Sequence, residues 1–161
     1  MTLQNRNTIL QSGIVFTGLL SFILPLSVFA KFLFPGLPVT PTITTLLAGV
    51  PAILSLAVLL ISFYYFRKIF APEIFYLSLL FMAFAFETLR VPLAVLAQMH
   101  LPLQFYMILT RVIWWGRFFS AFCVFTAGIF ASTLQTQKHG LAVLSGVFIS
   151  IILAYLIPID T

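Results

Sequence analysis

The chain has 161 residues, 62% of them hydrophobic and 7% charged, with 19 Phe and a mean hydropathy of +1.19. A soluble domain carries roughly 25% charged residues. Composition therefore excludes a water-soluble enzyme or nucleic-acid-binding domain, a disordered linker and a disulfide scaffold, and leaves an integral membrane protein. The formal charge of +5, from 8 Lys+Arg and 3 Asp+Glu, is scattered without a basic run. The lone Cys123 sits in an apolar stretch and reads as a small buried hydrophobe.

A transmembrane helix needs about 20 apolar residues at 1.5 Å rise each. Five segments meet or approach that length. The first is predicted over 13–34, interrupted by Pro25 and Lys31. The second covers 45–66, uncharged, with Pro51 in its first turns. The third covers 74–98 and carries Glu87, Arg90 and Pro92, with Phe75, Phe81, Phe84 and Phe86 read as lipid contact and core. The fourth covers 105–132, with Arg111 and Arg117; the fifth, 141–157, has no charge. Turn chemistry separates them: Pro35 to Pro38 with Pro41, Arg67-Lys68 with Pro72, His100-Leu101-Pro102, and Gln135 to Gly140. The strict alternation of barrel strands is absent. The expected fold is an all-α, polytopic integral membrane helical bundle of about five transmembrane helices, one domain without a soluble part. Two alternatives stay open. Gly13 to Leu26 can serve as a signal-peptide core, with Val28-Phe29-Ala30 as the cleavage site, leaving four spans. The chain can also be a piece of a longer multi-span protein.

Charge sets the orientation. Arg6, Arg67, Lys68 and Lys138 flank one side and Lys31 the other, four against one. By the positive-inside rule the N-terminus is expected in the cytoplasm and the C-terminus outside. With no eukaryotic sorting signal, this favours a bacterial inner (cytoplasmic) membrane.

Charge inside the third and fourth spans is the informative feature. An Arg or Glu at the bilayer centre costs at least ~2.5 kcal/mol, so such groups face protein or water and find partners. Glu87 and Arg90 are three apart, on one helical face. The tight turn at His100-Leu101-Pro102 makes the two spans antiparallel neighbours. Counted from that turn, Glu87 lies 11 residues below Gln98 and Arg117 lies 13 below Gln104. Arg90 lies 8 below Gln98 and Arg111 lies 7 below Gln104. At 1.5 Å per residue each pair matches in depth to about 2–3 Å. Glu87 is thus expected to meet Arg117, with Arg90 and Arg111 one level nearer the outer surface. Pro92 has no N–H for the carbonyl of Thr88, a break of the kind that accompanies a pocket in a bundle.

Helical phase puts Arg117 on a stripe with Ala121, Val124, Gly128 and Ala131, small residues suited to a close helix contact. Arg111 heads a stripe of Trp115, Phe118, Phe122 and Phe125, suited to lipid or a groove. Three Arg against one Glu leave two positive charges over, which water, backbone carbonyls or an anionic or zwitterionic ligand would balance. The plainer reading is a packing salt bridge, with Arg90 and Arg111 snorkelling toward headgroups. In the fifth span Ala142, Gly146, Ser150 and Ala154 recur every four residues, a stripe for close helix packing. Its partner is a helix of the same chain, a second copy or another membrane protein.

Little else carries chemistry. His100 and His139 fall on opposite sides and cannot share a metal or haem. No catalytic constellation, phosphate loop or cofactor motif is visible, and no cofactor is expected. The expected function is a non-enzymatic sensing or accessory module in the lipid bilayer, with Glu87, Arg90, Arg111 and Arg117 as the ligand-binding or structural polar cluster. The alternative is a small transporter or channel for an anion or proton-coupled solute, against which the odd span number and missing repeat weigh mildly. A lipid-modifying enzyme would require Glu87 as a general base.

Overall fold

In a computed structural model of the chain, the described residues are 3–22, 50–66, 71–91, 93, 103–132 and 139–158. They form an all-α fold with five helices and, among the described residues, no strand: α1 (Leu3–Ser21), α2 (Val50–Phe66), α3 (Pro72–Phe84), α4 (Leu103–Ser132) and α5 (His139–Leu156). A 3-10 segment, Ala85–Leu89, continues directly from α3. One helix, over Leu103–Ile129, is long and apolar enough to cross a membrane; the apolar helices Val50–Tyr65 and Gly140–Leu156 are shorter. Pro25, Lys31, the 28–30 cleavage motif, Arg67, Lys68, Pro92, His100 and Lys138 lie outside the described residues.

Local chemistry explains the boundaries. Pro51 and Pro72 occupy the first turns of α2 and α3, where a missing N–H costs nothing. Ala71 precedes α3 in extended conformation and its carbonyl accepts from the Phe75 N–H at 3.2 Å. The third expected span does not run straight through. After Phe84 the backbone tightens to 3-10 pitch, with the Arg90 N–H on the Glu87 carbonyl and the Thr88 hydroxyl donating to Ala85 O at 2.6 Å. Thr88 thus spends its own hydroxyl inside the tightened turn, four residues before Pro92.

α3 is the centre of the bundle. Phe75, Tyr76, Leu79 and Ala83 pack with Phe119 and Cys123 of α4, flanked by Ile9 of α1 and Val143 and Val147 of α5. A smaller cluster joins Leu20 of α1, Ala52 of α2 and Ala85, with Phe16 and Leu89 against it. Rings continue the contact across the bundle: Phe16 lies 5.1 Å from Phe86, Phe86 meets Trp115 edge-on at 5.0 Å, and Trp115 stacks on Phe119 at 5.6 Å.

Beside this apolar core, hydroxyl side chains are buried and many large apolar side chains are exposed. Thr17, Ser55, Ser62, Ser78, Thr88, Ser120, Thr126 and Ser150 are buried, while Val15, Leu19, Ile53, Ile61, Phe125 and Phe148 are exposed. Several buried hydroxyls donate back within their own helix: Ser78 to Ile74 O, Ser120 to Arg117 O, Thr126 to Phe122 O. Those of Thr17 and Ser55 have no partner among the described residues. Arg6, read from sequence as a flanking charge, lies within α1 at 2% exposure. Its Nε and Nη2 donate to Asn7 Oδ1 at 3.3 and 2.9 Å, and burial pushes its guanidinium pKa down from the ordinary value.

Gly116 sets the separation of α4 from the end of α3. A Cβ there would stand 2.9 Å from Phe86 Cβ and 3.0 Å from the Ala83 carbonyl oxygen, which is backbone and cannot yield. Gly116→Leu should therefore destabilise the purified protein by about 1–3 kcal/mol or more, read as a lowered thermal midpoint. Ser55→Ala, which deletes a hydroxyl without a partner, should leave that midpoint unchanged or raise it.

Candidate functional site

The tight approach at Gly116 delivers its neighbour Arg117 to the 3-10 segment. Arg117 Nε donates to Glu87 Oε1 at 2.5 Å and Nη2 donates to Oε2 at 3.2 Å, a two-pronged contact between elements 30 residues apart in sequence. Arg90 approaches the same carboxylate from its own helix face, Nε to Oε2 at 2.7 Å. Trp114 lies against the other side of Arg117, with the guanidinium carbon 4.8 Å from the ring centroid. Glu87 is the sheltered member at 17% side-chain exposure, against 35% for Arg117 and 51% for Arg90. The arrangement is a carboxylate held by two cations, with net charge +1 and its open side at Arg90.

Arg111 stands apart from this triad. Its Nη1 donates to the Ala154 carbonyl at 2.8 Å, and its guanidinium lies over the Tyr155 ring at 4.5 Å. The contact follows from sequence. In a continuing α-helix the Ala154 carbonyl would accept from residue 158, but that residue is Pro158, which has no N–H. Arg111 supplies the missing donor and sets a positive charge at the C-terminus of α5, where the helix dipole favours one. Depth matching had grouped Arg111 with Arg90; the structure separates them because Arg90 turns to Glu87 and Arg111 turns to α5. The four side chains therefore make one triad and one cap.

The face of α5 bearing Gly146, Ser150 and Ala154 is buried, with Ala142 half-buried, and it lies against α4 of the same chain. A Cβ on Gly146 would overlap the Phe122 ring. The small-residue stripe of α4 points elsewhere: Ala121, Val124 and Gly128 are exposed, and nothing stands within 4 Å of a Cβ built on Gly128. The buried face of α4 runs through Ile113, Gly116, Phe119, Ser120, Cys123 and Thr126. Phase counted from Arg117 misplaced that face, because Arg117 sits at its edge and reaches across to Glu87. Of the fourth-span aromatics, Phe125 is exposed, whereas Trp115 belongs to the core flank. Among the described residues no group of His, Cys, Asp or Glu could hold a metal ion. Comparison with family models, curated proteins and solved structures gives no match.

Sequence reasoning missed the capping role of Arg111 and the burial of Arg6. Pro158, four residues after Ala154, was the available signal for the first; nothing local signalled the second.

Arg117→Gln leaves the sheltered Glu87 with Arg90 alone, and Glu87→Gln leaves two arginines facing each other without a carboxylate. Glu87→Gln and Arg117→Gln should each lower stability by about 2–3 kcal/mol. The double variant should cost less than their sum, since both delete one contact. Thermal unfolding of the three variants in detergent measures the coupling, and simple additivity would show the pair to be idle.

Proposed function

We propose that this chain is a multi-span membrane protein of the cytoplasmic membrane, acting without catalysis as a sensing or accessory module. The observation that carries the reading is the distribution of side chains: hydroxyl residues buried and Glu87 sheltered, with large apolar side chains exposed on all five helices. In water that surface would aggregate; in lipid it is matched to its solvent. The proposed topology has five spans with the N-terminus in the cytoplasm.

The module character rests on the site. Both oxygens of the carboxylate are engaged by arginines, an arrangement that suits a structural contact better than general-base work. It acts instead as a lock between α3 and α4, and its positive excess and half-exposed Arg90 suit an anionic or zwitterionic group arriving from a lipid or a partner. Gly146, Ser150 and Ala154 are engaged within the chain, so a membrane partner or second copy would dock on the outer apolar faces of α4 and α5.

Alkaline carbonate washing of membranes should leave the full chain in the pellet. Alkaline phosphatase fused after Pro102 should be active and fused after Gln137 inactive. Release of the chain into the wash, or activity of both fusions, would sink the reading.

A further inference from the structure

Between α4 and α5 runs a cleft of 340 Å³, lined by Met107, Ile108, Arg111, Val112, Trp115 and Ile151 together with Ala154 and Tyr155. Its size falls within the range of small-molecule sites, about 300–1,000 Å³. The lining is apolar except at one end, where Arg111 enters. Arg111 is anchored by one N–H to Ala154 O and by Tyr155 beneath its plane; a guanidinium has five N–H donors. Among the described residues the carboxylates are Glu73 and Glu87, and no ion pair joins either to Arg111. Trp115 adds a second unmet donor on the same lining: its indole Nε1 is buried with no acceptor among the described residues.

Depth fixes what kind of anion fits. Arg111 is about 12 Å along α4 from Leu103, at 1.5 Å per residue, and it meets the last turn of α5, which ends at Leu156. Tyr155 beside it is 68% exposed. An Arg flanked by Trp and Tyr at a helix end marks the level of lipid headgroups. A free anion would use Arg111 alone and leave the apolar wall of Met107, Ile108, Val112 and Ile151 unused. A molecule with a phosphate at one end and an acyl chain at the other uses both.

We infer that the α4–α5 cleft binds an anionic phospholipid, its phosphate on Arg111 beside Ile108 and an acyl chain running inward along Val112, Trp115 and Ile151. The inference rests on the membrane reading and names a ligand class for it. The site is separate from the Glu87 triad, so the cap of α5 and the lipid share one side chain.

Native mass spectrometry of the full chain in detergent, titrated with phosphatidylglycerol and phosphatidylcholine, tests this. The wild type should retain phosphatidylglycerol at least fivefold more tightly. Arg111→Gln should abolish that preference. Because Arg111 also caps α5, Ile108→Trp provides a second variant: it fills the cleft at an exposed position, leaves the cap in place and should lower binding of both lipids at least fivefold. No headgroup preference in the wild type would overturn the inference, as would a preference surviving Arg111→Gln or full binding in Ile108→Trp. Displacement of the lipid by millimolar inorganic phosphate would also overturn it, by reassigning the site to a soluble anion. These outcomes are distinct from failure of the membrane reading, which the carbonate wash reports on its own.

Discussion

The contact between Glu87 and Arg117 is the constraint on which the rest of the bundle depends. It requires three things at once: a helix turn tightened to 3-10 pitch, a glycine on the facing helix, and a cation one residue beyond that glycine. Thr88 contributes to the first by donating to Ala85, Gly116 permits the second, and Arg117 completes the third. Inside a low-dielectric interior a lone carboxylate is expensive, so the pair fixes the register of α3 against α4 as much as it adds attraction. The ring series from Phe16 through Phe86 and Trp115 to Phe119 then ties α1 to the same junction.

On the proposed membrane reading, the bundle gains little from hiding apolar side chains, because lipid tails are as apolar as its core. What holds it together is close packing and polar contacts that need no water. Both are visible here. Ser78, Ser120 and Thr126 at the buried faces donate to carbonyls of their own helices, which lets neighbouring backbones approach without stranding those donors. Glycines at 13, 116 and 146 open the space into which Met82, Phe86 and Phe122 fit.

Much of this was legible from the chain alone, and the misses have physical causes. The bounds of α4 and α5 follow from predominantly apolar length between turn residues, broken in α4 only by Arg111 and Arg117 among charged residues. The third segment was read as continuous because hydropathy does not register a change of helical pitch. Depth counting could place Arg111 and Arg90 at one level, but depth is a single coordinate and says nothing of which neighbour a long side chain turns toward. For Arg111 the neighbour is set by Pro158, which leaves a carbonyl without a donor on α5. Likewise, the stripe of small residues on α4 satisfies the spacing rule for close packing yet faces outward, because the bulky Phe119 and compact Cys123 already fill the seam with α3.

The meeting of Phe122 with Gly146 has a consequence for lineages descended from this chain. One ring occupies the notch that a missing side chain leaves, so the two positions share a fixed volume. Enlarging residue 146 is tolerable only alongside a smaller residue 122, and drift at either site is tethered to the other. Paired change of opposite size at these two positions is the mark this junction should leave on divergent copies.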